Sequence, residues 1–343
     1  MVEAFRAIHP SSFVHPEDAA ALAALRAVPG LSALLKALQS NTVEERVFAM
    51  IGTTTLKLGR SQYRSLYAMV ERACTRLDVP VPEVYLSGNH EINAWAFGYT
   101  RYAITLNAGL VDRFRDEEVA SVVGHEVGHI ACEHMLYKST ALVLTQLGAH
   151  VLGRLLGPIS GLATAGIELA LFRWSRAAEY SCDRAALLVM QDPDLVASTI
   201  AGLGGSSHRL REEFSLEAVE TQARDLQSSV GRFGKVMDGL RQMYTTHPDP
   251  IPRSLAIRSW GRSAEYHAIL GGRYRTRMEV GVESQGIIEG VASCALCGTP
   301  VGEASACPKC GLSTRAADQR RCPGGHPVNA DWKFCRSCGK PTG

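Results

Sequence analysis

His125-Glu126-Val127-Gly128-His129 sets two imidazoles four residues apart with a carboxylate between them. On a helix that spacing brings both rings to one face, a turn apart, where they can grip a single zinc ion. Glu126 then lies beside the metal, unligated, as a candidate general base. A catalytic zinc also needs a third protein ligand and an open position for water. A metzincin would supply a glycine and a third histidine further along the same motif, but this chain has Cys132 and Met135 there, which excludes that class. His134 is out of register for the role and is expected to pack or hydrogen-bond near the helix end.

The competing arrangement takes its ligand from a downstream helix, and Glu179-Tyr180-Ser181-Cys182-Asp183 offers one. Glu179 is the expected third ligand. Asp183, one turn on, can accept the second ring N–H of a zinc histidine and so fix its tautomer. Arg173 and Arg176 lie nearby to balance charge. Without the upstream histidines, the same acidic pair would read as surface ion pairs with Arg176 and Arg184.

Seven of the ten cysteines fall between Cys294 and Cys338, which marks a separate module. Cys294, Cys297, Cys307 and Cys310 have the spacing of a zinc ribbon. Cys335 and Cys338 form a further knuckle, whereas Cys322 is followed by His326 in place of a cysteine, so the second site departs from the pattern. A module this small cannot bury enough apolar surface to fold unaided, and its structural zinc would supply much of the folding free energy. Such ribbons suit a protein partner. Nucleic acid is the weaker reading, because Arg320, Arg321, Lys333 and Arg336 are interleaved with aromatics only at Trp332 and Phe334. Cys74, Cys132 and Cys182 read as small buried apolar residues.

The elements that must position these groups follow from periodicity. Apolar residues such as Leu22, Leu25, Leu31, Leu34, Leu35 and Leu38 predict packing helices between Pro16 and Arg76. Pro80 and Pro82 then interrupt, and β-favouring runs at 83–86, 94–99 and 102–106 predict a small antiparallel sheet. Asp116, Glu117 and Glu118 open a helix that should run through His125 to about Tyr137, burying a Val119, Val123, Val127 and Ile130 stripe and offering its other face to a cleft. Residues 139–172 are long and apolar, but Gln146, His150 and Arg154 form a polar stripe, and Gly157, Pro158, Gly161, Gly166 and Glu168 interrupt the second half. That favours a helical hairpin resting on a membrane surface or in solution over a spanning one. Residues 272–293 read as a linker, with a strand around Met278 to Val282.

The 343 residues, 46% hydrophobic with a formal charge of +2, fit one large mainly helical α+β domain and a small appendage. The large domain is read as residues 1–271, made of a helical amino-terminal region (residues 1–78) and a catalytic core (residues 79–271), followed by the linker and a double ribbon at 294–343. The near-neutral charge gives no support to nucleic acid as the main partner. The amino-terminal residues carry no apolar run suited to a signal peptide, which points to a cytoplasmic protein, membrane-associated if 139–172 touches a bilayer.

His125 to His129, Ser175-Arg176-Ala177-Ala178-Glu179 with Asp183, and Thr246-His247-Pro248 with Arg253 together resemble the HtpX-like metallopeptidases, the family that includes the CAAX prenyl protease. The likeness covers about Leu22 to Gly261. It implies a gluzincin-type fold, one catalytic zinc, peptide or protein substrates cut by endopeptidase action, and a setting such as protein quality control. It also assigns His247 to transition-state stabilisation, Arg253 to orienting that loop, and Asn93, at the head of an edge strand that aligns substrate by β-addition, to donating to the substrate backbone or to the developing oxyanion. The competing reading is an inactive peptidase-like adaptor whose ribbons recruit a partner. An unligated Glu126 would have no use in a closed structural site.

Overall fold

The computed structural model describes residues 4–28, 31, 34–35, 41–142, 161–205, 207–229, 250–280, 306–307, 312–313, 319–323, 326–335 and 340–342. The chain divides into two units, Met1–Tyr274 and Arg275–Gly343.

In the first unit, His15 caps α1 (Pro16–Arg26) by accepting the Glu17 N–H, with Pro16 at the first helical position, where no amide donor is missed. Helix α2 (Asn41–Thr54), the short strand β1 (Leu56–Lys57) and α3 (Arg64–Leu77) follow, then β2 (Glu83–Ser87), β3 (Ala94–Phe97) and β4 (Ala103–Asn107). The sheet order is β1-β2-β4-β3. Its outer pairs are antiparallel but β2 and β4 run parallel, so the sheet is mixed and not the wholly antiparallel one expected. Residues 88–93 carry the chain past the central position, which leaves β3 at the edge and lets the later β4 fill the middle, buried along its length. Glu44 of α2 secures the return turn. It accepts the N–H groups of Tyr99 at 2.7 Å, Thr100 at 2.8 Å and Arg101 at 3.3 Å, and the Thr100 hydroxyl at 2.6 Å.

Helix α4 (Ala108–Arg113) leads into α5 (Asp116–Ala131), whose start is capped by Glu118 accepting the Arg115 N–H at 2.8 Å. This helix was expected to continue to Tyr137. Instead it stops at Cys132, with Glu133 at φ 59° and the His134 N–H bonded to the His129 carbonyl at 2.9 Å. That is a Schellman stop, built without the glycine or asparagine that usually announces one. A second helical run then occupies residues 135–142.

Next come α6 (Gly161–Met190), α7 (Pro193–Gly204), α8 (Leu216–Ser229), α9 (Pro250–Gly261) and α10 (Ala264–Leu270). Helices α5 and α6 pack closely because glycine faces the crossing: a Cβ on Gly128 would stand 2.7 Å from Ala185 Cβ and 3.1 Å from Cys182 Cα. Consequently α5 is buried almost all round, not on one face as expected. Pro250 of α9 sits on Gly204 of α7, and Pro193 of α7 on Gly261 of α9, so the pair is clasped antiparallel at both ends. Among the described residues no helix is long and apolar enough to cross a membrane. Most of 139–172, namely 143–160, lies outside them.

In the second unit, residues 277–280 are helical where a strand was expected. Thr276 and Glu279 make reciprocal capping bonds there, a signature the β-favouring composition obscured. Strands β5 (Gln319–Arg321) and β6 (Pro327–Asn329) form an antiparallel ribbon.

Candidate active site

The α5–α6 crossing brings His125, Glu126 and His129 against Glu179 and Asp183, all buried. His125 Nε2 lies 3.3 Å from Glu179 Oε2 and His129 Nε2 lies 3.4 Å from Glu179 Oε1. One carboxylate thus faces the Nε2 atoms of both rings. The outer nitrogen of His125 lies 3.0 Å from Asp183 Oδ1. Arg253 of α9 donates to both Asp183 oxygens, at 2.8 and 2.6 Å, and reaches Glu179 Oε2 at 3.2 Å. Arg253 thus supplies charge balance to both carboxylates. Glu179 and Asp183 are both buried, so they are not a surface ion-pair group, and Arg184 turns to the Phe13 carbonyl at 3.2 Å.

Burial disfavours charge on His125, but the Glu179 and Asp183 carboxylates outweigh it and push the ring up to about 9. Burial and then the Lys138 charge push His129 well below its ordinary value. Asp183 is held below the usual carboxylate value because Arg253 outweighs its burial.

Glu126 Oε2 is buried without a hydrogen-bond partner among the described residues. It faces Lys138, whose Nζ lies 3.9 Å away, 3.8 Å from Glu179 Oε1, and donates to His129 Nε2 at 2.5 Å. The donor set therefore suits a cation, and two imidazoles with a carboxylate and a spare carboxylate beside them fit zinc. Cys182 also brings a sulfur within 4.8 Å of ligand atoms of His125 and His129. Its Sγ, however, stands 3.6 Å from His134 Nδ1, the nitrogen that faces His129 Nδ1, and burial pushes the thiol well above its ordinary value. Glu179, unlike that thiol, faces both Nε2 atoms.

A cavity of about 320 Å³ opens onto the cluster, lined by Asn93, Ala94, His125, Glu126, Glu179 and Arg253 among others. Asn93 thus stands beside the edge strand at the cleft. His247 lies outside the described residues. Sequence reasoning missed Lys138 and Asp18. Lys138 returns to the site only because the chain turns back after Cys132. Asp18 comes from α1 and lies 3.0 Å from His134 Nε2, a contact no local spacing encodes.

The sequence model of peptidase family M48 matches residues 60–261, which contain every one of these residues except Asp18. The chain belongs to peptidase family M48. It is 31% identical over 271 residues to the plastoglobule-localized metallopeptidase 48 of Arabidopsis thaliana, covering 78% of this chain and 77% of that protein. It is also 23% identical over 230 residues to a protease HtpX homolog of Campylobacter curvus, covering 60% of this chain and 78% of that one. A Bacteroides fragilis HtpX homolog is 25% identical over 231 residues, covering 58% and 69%. This M48 chain is accordingly an HtpX-like metallopeptidase, a metal-dependent hydrolase acting on peptides or proteins.

In the second unit, Cys322, His326 and Cys335 converge with ligand atoms within 4.8 Å of one another. Cys307 and Cys335 begin like turns: their N–H groups bond to the Leu312 and Lys340 carbonyls, each at 2.8 Å. Cys294, Cys297, Cys310 and Cys338 lie outside the described residues.

Proposed function

We propose that this chain is a zinc endopeptidase in which His125, His129 and Glu179 hold the metal and Glu126 is the general base. The observation that carries the reading is the meeting of both Nε2 atoms with one carboxylate, at 3.3 and 3.4 Å, beside a buried Glu126 oxygen with no hydrogen-bond partner among the described residues. Zinc, when bound, supplies a Lewis acid that polarises the scissile carbonyl and lowers the pKa of a bound water toward neutrality. Glu126 takes the proton of that water and delivers it to the leaving amine nitrogen. Asp183, anchored by Arg253, holds His125 with its outer nitrogen protonated, so that Nε2 presents a lone pair. An extended substrate adds to the outer edge of β3, with Asn93 contacting its backbone and His247 assisting the oxyanion. Cleavage within extended segments of unfolded proteins accords with the quality-control setting that the HtpX-like resemblance suggests.

The ribbons are proposed to hold two structural zinc ions, one on Cys294, Cys297, Cys307 and Cys310 and one on Cys322, His326, Cys335 and Cys338, and to dock a protein partner. Any contact of 139–172 with a bilayer would be peripheral. The decisive experiment is Glu126→Gln, purified folded and carrying the parent's zinc. Peptide-library cleavage should fall by at least about a hundredfold. Cleavage at the parent's rate would remove Glu126 from the mechanism.

A further inference from the structure

The two zinc-facing imidazoles are supported differently. His125 turns its outer nitrogen to a carboxylate directly. His129 turns its Nδ1 to another imidazole, His134 Nδ1, at 3.3 Å. Two rings meeting through like nitrogens can bond only if one donates and the other accepts.

The far side of His134 decides which. Its Nε2 lies 3.0 Å from Asp18 Oδ2. Asp18 is buried and also accepts the Trp174 indole N–H at 3.0 Å and the Ser181 hydroxyl at 2.6 Å. Surrounded by these three donors, Asp18 serves as an acceptor only. A lone pair on His134 Nε2 facing that carboxylate would be repulsive, so the proton sits on Nε2. Lys138 has only protons to offer His129 Nε2, so the His129 proton is on Nδ1 and His134 Nδ1 is the acceptor. It takes the His129 Nδ1–H, which leaves the lone pair of His129 on Nε2, toward Glu179. The reverse arrangement would put a proton on His129 Nε2 and remove it as a ligand.

We propose that Asp18 and His134 form a relay that fixes His129 as the Nδ1–H tautomer, making both of them positioning residues for the catalytic metal. The inference rests on the zinc reading above and extends it outside the segment that matches the family, since Asp18 belongs to α1 and the match begins at residue 60. The amino-terminal helix thereby becomes an element of the metal site.

The relay is tested by zinc affinity on the full chain, using chelator competition. The His125→Ala/His129→Ala variant identifies which zinc belongs to the catalytic site. His134→Leu should weaken that zinc by about 10 to 100-fold. His134→Gln should stay within about threefold of the parent, because its amide oxygen can accept from His129 while its NH₂ donates to Asp18. A leucine variant that binds as tightly as the parent, or a glutamine variant as weak as the leucine one, overturns the relay while leaving the metal assignment standing. If the double variant loses no zinc, the metal assignment itself fails and takes the relay with it. A second measurement needs no variant: long-range ¹⁵N–¹H correlations on the zinc-loaded parent should show His134 protonated at Nε2 and His129 at Nδ1. A proton on His134 Nδ1 would overturn the proposal.

Discussion

Lys138 is the residue whose charge conflicts most directly with metal binding. Its ammonium donates to His129 Nε2 and lies within 4 Å of the Glu126 and Glu179 carboxylates, so it competes with a divalent cation for the same donors. A unit charge about 4 Å from another is worth about 4 kcal/mol at an effective dielectric near 20. Lys138→Met keeps the length and removes the charge. Zinc affinity at the catalytic site, measured by chelator competition, should tighten by at least about tenfold, and an unchanged or weaker affinity would show that Lys138 does not oppose the metal. The site's legibility divides along the same line. His125, Glu126 and His129 follow from five consecutive residues, and Glu179 and Asp183 from one helical turn. Lys138, His134 and Asp18 enter through a chain reversal and a contact between distant elements, and neither leaves a periodic trace.

At the scale of elements, the cleft depends on where β3 lies, and β3 depends on the turn that Glu44 holds. Glu44 is buried but accepts four bonds from the turn, and although burial opposes its charge these bonds keep its pKa below the ordinary 4.5. A carboxyl whose folded pKa is depressed adds stability that is present above its unfolded pKa and is lost as pH falls through the folded one. Glu44→Gln should therefore cost about 1 to 2 kcal/mol at neutral pH, and the gap from the parent should close as pH drops below 4.5. Denaturant unfolding at a series of pH values checks this, and a gap that stays constant into acid would mean the charge contributes nothing. The strands themselves were legible, with the expected 83–86, 94–99 and 102–106 found at 83–87, 94–97 and 103–107. Their order was not, because alternation records which face is buried and not which strand is the neighbour. The break after Cys132 was hidden for a related reason: Glu133 takes a left-handed conformation that its residue type does not advertise.

Over the whole molecule, the two units differ in what can hold them together. The first has a core that joins α3, the sheet and helices α5 to α10 through residues such as Val70, Ile104, Val123, Leu187 and Ile257. Its stability is chiefly apolar burial, and removing one catalytic zinc should leave it folded. In the second, the core among the described residues is Cys322, Val328 and Cys335 with Trp332 beside them, and two of its three buried members are themselves proposed zinc ligands. Such a module should depend on its metal. The full chain is expected to carry three zinc ions, one of which is lost in His125→Ala/His129→Ala and one in Cys335→Ser. After stripping with excess chelator, amide exchange should rise sharply across 306–342 while the buried amides of α3, β4 and α5 keep their protection. Exchange that rose equally in both units would mean that the catalytic metal also holds the peptidase core together, and that zinc is as much a folding cofactor for the large unit as for the ribbon.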